Sequence, residues 1–432
     1  MKYISTGGSG AGVSLEEALF AGVAPDGGLY LPERLVPLSA RAIARLRGAS
    51  FADVGSVILQ HLLGDDLPSD VIARVAASAL DFPAPVVAVG DRVWCLELFH
   101  GPTLSFKDVG GRVMAELMAH FLRDGERELT VLVATSGDTG GAIAHAFGNR
   151  PGVRVVVLFP RGRVSARQQQ QFTTLGKTVQ AVAVGGSFDD CQRLARQALA
   201  DADLRQHCRL ASANSINLGR LLPQIVYYFH GVAQLPVSSA PLVIATPSGN
   251  FGNLTAGLMA RRLGLPVSRF VAATNINDVV PAYLQSGRFE PRASVATIAS
   301  AMDVGHPSNF ARLMALYRHD LLALQEDLLG SAHTDGAARQ TIRDLHTASG
   351  AVIDPHSAIG YLGVQAGLAV AAPEARGLFL ATAHPAKCAE VVEEETGEPV
   401  PVPERLAACL DREEVVTDLP AEAQALRALL MA

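Results

Sequence analysis

Val131-Leu132-Val133-Ala134-Thr135-Ser136-Gly137-Asp138-Thr139-Gly140 is an apolar run that ends in small and hydroxyl residues and passes into an amphipathic stretch. A short apolar, β-branched run of this kind reads as a strand. The Ser-Gly-Asp after it is turn and N-cap chemistry. The same succession returns at Leu242-Val243-Ile244-Ala245-Thr246-Pro247-Ser248-Gly249-Asn250-Phe251-Gly252. A strand that opens a helix through such a loop leaves backbone N–H groups unpaired. The helix dipole adds about half a positive charge there, and glycine lets an anion approach the backbone. Either loop alone reads as an ordinary capped turn. Two matched loops on one parallel-sheet edge point to a ligand, or a ligand pair, with two anionic groups. Neither loop is GxGxxG or GxxxxGK[ST], so a dinucleotide or P-loop reading is weak.

Outward from these loops, short apolar runs recur at 93–98, 130–134, 153–159, 179–184, 242–246 and 270–274. Stretches of helical length lie between them, at 141–147, 188–200 and 216–230. This alternation predicts an α/β fold with a largely parallel sheet, wound right-handedly. Upstream, 14–20 and 40–60 read as helices with a turn at Pro25-Asp26-Gly27-Gly28 between them. Asp81-Phe82-Pro83-Ala84-Pro85 reads as a linker, which sets a boundary between an N-terminal domain at 1–85 and a second, α/β domain at 86–390. The stretches 310–349 and 404–431 read as mostly helical, so 391–432 is expected to be a helical C-terminal segment.

Composition narrows the function classes. The chain has 432 residues, 49% of them hydrophobic, and a net charge of −6. That is ample for a buried core, and it carries no basic footprint for nucleic acid. No apolar run reaches the roughly 18–20 residues of a membrane span, and the N-terminus shows no apolar signal region. Five cysteines (95, 191, 208, 388 and 409) stand singly, which suits a reducing cytoplasm. Only four of the 36 basic residues are lysine: Lys2, Lys107, Lys177 and Lys387.

Lys107 follows a Gly-Pro turn in Phe99-His100-Gly101-Pro102-Thr103-Leu104-Ser105-Phe106-Lys107-Asp108, with apolar neighbours and a helix expected to begin near Asp108. A desolvated amine there would be neutral and nucleophilic, able to form a Schiff base. The same spacing also suits an exposed lysine whose stem packs on Phe106.

The stretch Glu97-Leu98-Phe99-His100-Gly101-Pro102-Thr103 through Phe106-Lys107-Asp108 resembles the cofactor-lysine motif of threonine synthases. These are pyridoxal-phosphate enzymes of the fold shared with the tryptophan synthase β-subunit and threonine deaminase. Ala134-Thr135-Ser136-Gly137-Asp138-Thr139-Gly140 resembles the family's substrate loop, and Pro247-Ser248-Gly249-Asn250-Phe251-Gly252-Asn253 its phosphate loop. Further matches are Ser212-Ala213-Asn214-Ser215-Ile216-Asn217, Ala301-Met302-Asp303-Val304 and Ala381-Thr382-Ala383-His384-Pro385-Ala386-Lys387. Ser5-Thr6-Gly7-Gly8 and Ala24-Pro25-Asp26-Gly27-Gly28-Leu29-Tyr30 are similar to the branch with an extra N-terminal domain.

The resemblance implies a tryptophan-synthase-β-like fold, with two α/β lobes clasping pyridoxal 5'-phosphate and a helical N-terminal domain. It implies that Lys107 holds the cofactor as a Schiff base and shuttles protons. Gly249, Asn250, Phe251, Gly252 and Asn253 would bind the cofactor phosphate, and Thr382 its ring nitrogen. Ser136, Asp138 and Thr139 would receive the substrate carboxylate near the cofactor's 3'-oxygen. Many relatives carry Asn where Asp138 stands, and an ionised carboxylate cannot donate to that oxygen. The implied substrate is O-phospho-L-homoserine, converted with water to L-threonine and phosphate. Its phosphate would fall to Asn214, Ser215 and Arg220, an arginine's fork being suited to phosphate. Arg220 also reads as a helix-surface charge. A second candidate group is Ser308, Asn309 and Arg312.

The other features read as structural. His100, His306 and His384 lack metal-ligand spacing, so no metal is expected. Asp354-Pro355-His356-Ser357 reads as a turn with an N-cap, and Gln168 to Gln171 and Glu393-Glu394-Glu395 as solvated helix faces. Cys388 reads as a small buried hydrophobe. Oligomeric state is left open. Two rivals stand beside the main reading: a deaminase or phospholyase of the same fold, and a metabolite-binding protein with a decayed site.

Overall fold

The alternation of strand and helix resolves into two larger sheets and one small one. The computed structural model describes residues 1–122, 127–176 and 178–432; Lys177 lies outside them. In chain order the strands begin with β1 (Tyr3–Ser5), β2 (Tyr30–Pro32), β3 (Val86–Gly90), β4 (Val93–Glu97), β5 (Leu129–Ala134), β6 (Val153–Pro160) and β7 (Val179–Gly185). They continue with β8 (Arg209–Ser212), β9 (Leu242–Pro247), β10 (Arg269–Thr274), β11 (Leu328–Ala332), β12 (Arg376–Ala381) and β13 (Val416–Pro420). One sheet runs β13-β7-β6-β5-β8 with every pairing parallel. The other runs β11-β10-β9-β12-β4-β3 and is parallel except at the β3–β4 edge. β1 and β2 form a separate antiparallel pair.

Both signature loops leave where strand order reverses. β6 and β7 lie on one side of β5 and β8 on the other; β10 and β11 lie on one side of β9 and β12 and β4 on the other. An open parallel sheet leaves a crevice beyond the strand C-termini at such a point. β5 and β9 are buried along their whole length, as central strands covered on both faces must be.

Several expectations are corrected in detail. The helix expected over 40–60 is two helices, Ala40–Ala44 and Phe51–Leu63. Gly48 breaks it at φ +75°, and the Ser50 hydroxyl caps the restart. The stretch 216–230 likewise divides into Leu218–Leu221 and Gln224–Gln234 at Pro223, which has no N–H to continue the ladder. Phe188–Ala200 is helical as expected, closed at its start by a Ser187–Asp190 capping box. The sequence reading missed β12, a central strand. Its Gly377 is required by packing, because a Cβ there would stand 2.6 Å from Val364 Cγ2 on the helix Pro355–Ala369. The stretch 310–349 is interrupted by β11, and 391–432 contributes β13, paired to β7, beside its helices.

The apolar faces of the N-terminal helices join one hydrophobic cluster that runs from Tyr3 to Leu380. Phe82 and Ala84 of the expected linker are buried in it. Two polar runs are not the solvated faces expected. Gln168 and Gln171 are buried, donating to Asp138 and to Thr103 O. In the Glu393–Glu395 run, Glu395 is enclosed by Arg339 and Arg343 while Glu394 stays exposed. Among the described residues no helix is long and apolar enough to cross a membrane.

Candidate active site

β4 and β12 remain paired past their ends, and this places the lysine. Leu98 N–H donates to Ala381 O, and Phe106 N–H donates to Thr382 O at 3.0 Å. Lys107 therefore opens the helix Lys107–Phe121 beside Thr382. Its Nζ lies 3.5 Å from Asp138 Oδ2. Burial lowers the proton affinity of the amine; Asp138 opposes this, while Lys387 and Arg220 add to it. The desolvated reading of Lys107 is thus the one the structure supports, and the exposed alternative is not.

Asp138 arrives from the other sheet, as the first residue of the helix Asp138–Phe147 after β5. Gly137 before it adopts φ +147°, a conformation that side chains disfavour. Burial alone would neutralise Asp138, yet the Lys387 and Lys107 ammonium groups hold its carboxyl well below the usual carboxylate range. Oδ1 accepts from Lys387 Nζ at 2.8 Å and from Gln168 Nε2 at 2.9 Å.

The loop after β9 has the form of an anion cradle. Phe251, at φ +60°, turns the chain into the helix Gly252–Arg262. The Oδ1 of Asn253 accepts from the Tyr227 and Tyr228 hydroxyls at 2.5 and 2.7 Å, while its buried Nδ2 has no partner among the described residues. A buried donor left unpaired costs about 1–3 kcal/mol, so a helix start that carries one is built to bind. A Cβ on Gly249 would stand 2.8 Å from both Ala301 O and Met302 Cα, which are backbone and cannot swing away. Gly249→Ala is therefore expected to weaken binding of pyridoxal phosphate by roughly tenfold or more, about 1.4 kcal/mol. Titration of the cofactor-free protein, followed by its visible absorbance, checks this.

Arg220 lies on the short helix Leu218–Leu221, which Asn217 caps, and is 3% exposed, so it is not a surface charge. Its Nη1 donates to Ala213 O at 2.7 Å, and its Nε is buried without a partner among the described residues. Burial draws the guanidinium down to about 10. Gly110, on the helix of Lys107, gives it room: a Cβ there would stand 2.7 Å from Arg220 O and 3.1 Å from its Nε.

All residues assigned from the motifs line one cavity of about 380 Å³: Lys107, Ser136, Asp138, Thr139, Asn214, Ser215, Arg220, Gly249, Asn250, Phe251, Gly252, Asn253 and Thr382. Two of them are turned to the protein. The Asn214 amide brackets Ala134, donating to its carbonyl and accepting from its N–H. The Ser215 hydroxyl accepts from Asn250 Nδ2 at 2.7 Å. The second candidate group stands behind the wall. Ser308 N–H donates to Asn250 Oδ1, and Arg312 is spent on Tyr30 O, Ser215 O, Ile216 O and Asn309 Oδ1.

The sequence reading missed Gln168 and His356, both of which line the cavity. Asp354 does cap the helix Pro355–Ala369 as expected. It also accepts from His356 Nδ1 at 2.5 Å, and His356 Nε2 accepts from Ala301 N–H. The Asp354 carboxylate raises the proton affinity of this buried imidazole, to about 10, and the ring braces the loop that packs on Gly249. Cys388 is half-buried, not fully enclosed, beside this pair. Spacing carried no signal for Gln168, whose partner Asp138 lies 30 residues away, nor for the contact of His356 with Ala301, 55 residues away.

Comparison with known proteins agrees with this geometry. Residues 2–80 match the threonine synthase N terminus, 79–382 the pyridoxal-phosphate dependent enzyme family, and 357–430 the threonine synthase C-terminal family. The threonine synthase of Escherichia coli strain K12 is 46% identical over 97% of this chain and 96% of its own. A crystal structure of threonine synthase from Escherichia coli superposes with a TM-score of 0.94 at 44% identity, covering 100% of this chain and 99% of that one. A threonine synthase from Brucella melitensis with bound pyridoxal phosphate superposes at 0.91 with 35% identity, again over 100% and 99%. The fold, the cavity and these matches agree, and the chain belongs to the threonine synthase family of pyridoxal-phosphate-dependent lyases in amino-acid biosynthesis.

Proposed function

We propose that this chain converts O-phospho-L-homoserine and water to L-threonine and phosphate, by γ-elimination followed by β-addition. What supports it is one cavity that joins a desolvated lysine amine to two separate anion-binding elements: the Gly249–Asn253 cradle and Arg220. The residues fit pyridoxal phosphate, since the orphaned Asn253 Nδ2 and the helix start at Gly252 match a phosphate, and Lys107 matches its aldehyde. The cofactor, when bound, supplies the electron sink for charge developing at the substrate Cα.

The chain's own residues would do the rest. Lys107 would carry the cofactor covalently and, once exchanged for the substrate amine, take the proton from Cα. Thr382 would offer the ring nitrogen a neutral hydroxyl, which does not hold it protonated as a carboxylate would. Ser136 and Thr139 would bind the substrate carboxylate at the start of the helix Asp138–Phe147. Asp138 would contribute its backbone N–H there, because Lys387, Gln168 and Lys107 already occupy its carboxylate. Arg220 would take the substrate phosphate, with Asn214 and Ser215 shaping the wall around it. The five free cysteines suit a reducing compartment such as the cytoplasm.

The deciding assay supplies phosphohomoserine and measures phosphate and threonine together. Equal amounts of both are expected. Release of ammonia and a 2-oxo acid in place of threonine would assign the chain to the deaminases of this fold, and no turnover with a colourless protein would leave a decayed site.

A further inference from the structure

Lys387 belongs to the Ala381–Lys387 motif but has had no chemistry assigned to it. Its side chain is fully enclosed, and its ammonium donates to Asp138 Oδ1 at 2.8 Å. The other oxygen of the same carboxylate is 3.5 Å from Lys107 Nζ. Two lysines therefore share one buried carboxylate, one of them opening into the cavity and the other closed off from it. A buried ammonium costs several kcal/mol unless paired, so a second lysine here needs a reason beyond filling space.

We propose that Lys387 is a positioning residue: it holds the Asp138 carboxylate and, by claiming half of it, keeps the Lys107 amine from being locked as an ammonium. The inference rests on Lys107 being the amine that binds the cofactor. Without Lys387, Asp138 would have one cation left, and Lys107 would pair with it fully. Without Asp138, Lys107 would face the Lys387 charge uncompensated. The two losses thus move the proton affinity of Lys107 in opposite directions. The charged and titratable groups facing this pair are Arg220, packed against Gly110 of the helix of Lys107, Asp108 on that same helix, His145 on the helix of Asp138, and His384 and Cys388 on the segment of Lys387. Each of these stays in place in the variants below.

The test follows covalent attachment of pyridoxal phosphate to the cofactor-free full-length protein, by absorbance, across pH. Only the neutral amine attacks, so the pH of half-maximal rate reports Lys107 directly. Lys387→Met is expected to move that midpoint up by about one pH unit or more, and Asp138→Asn to move it down by a similar amount. Lys387→Arg, which keeps the charge, should stay near the parent protein. An unmoved midpoint in Lys387→Met, with only a lower melting temperature, would overturn the proposal and leave Lys387 a structural residue. If Lys387→Met does not fold, an Asp138→Asn midpoint that stays put or rises overturns it instead. Borohydride reduction and mass mapping of the parent protein separate the two levels. A label elsewhere than Lys107 would remove the reading beneath the proposal, whereas a label on Lys107 with unmoved midpoints would remove the proposal alone.

Discussion

Lys107→Ala is expected to lower the rate of threonine formation by on the order of 10³-fold or more, since proton transfer by a placed side chain alone contributes roughly 10²–10⁴-fold. The fold should survive the change. Asp138 keeps Lys387 at 2.8 Å and Gln168 at 2.9 Å, so no buried carboxylate is orphaned. The cavity is open at the lysine, so its loss leaves room for water and no dry void. Circular dichroism should be unchanged while the visible chromophore is weak and no longer trapped by borohydride on the chain. A residual rate within tenfold of the parent would show that the amine is not the proton carrier.

Arg220→Ala should act on one substrate group only. A hydrogen bond to a charged group contributes about 1.5–3 kcal/mol, which predicts a loss in kcat/KM of roughly 10–150-fold for phosphohomoserine. An unphosphorylated analogue of the same carbon skeleton should lose only a few-fold, through the relaxed contact at Ala213 O. Binding of the two analogues as inhibitors gives the same comparison without turnover. Equal losses for both would remove Arg220 from phosphate recognition. The buried Nε left unpaired in the free protein points the same way, because an arginine placed only for packing would have had it satisfied.

Much of the site was legible because backbone geometry writes itself into local composition. Gly137 at positive φ, the bare approach at Gly249 and the helix starts at Asp138 and Gly252 each demand particular residues in a short window. What stayed hidden depends on partners far off in the chain. Gln168 looked like one of four solvated glutamines until its amide met Asp138, 30 residues away. Lys387 reaches the same carboxylate across 249 residues, and no spacing rule could have joined them. Arg220 and Arg312 were both candidates for the substrate phosphate, Arg312 in the second group. They differ in their partners: Arg220 lines the cavity and keeps a buried nitrogen unpaired among the described residues, whereas Arg312 spends its donors on protein oxygens. β12 was missed because Gly377 weakens its β character locally, although packing against the helix Pro355–Ala369 requires it.

Arg312 has a consequence for how the molecule comes apart. It is fully buried, and burial alone draws its guanidinium down to about 9; the groups that hold it are Tyr30 O, Ser215 O, Ile216 O and Asn309 Oδ1. Tyr30 belongs to β2, near the N-terminus, and Ser215 and Ile216 to the loop after β8. Detaching either would leave a cation in a dry interior with fewer dipoles around it, which is far costlier than exposing apolar surface of the same size. Local opening of the N-terminal strands is therefore coupled to opening of the cavity wall. The two should exchange backbone hydrogens with solvent as one cooperative unit, and not as a loosely tethered module on an independent enzyme.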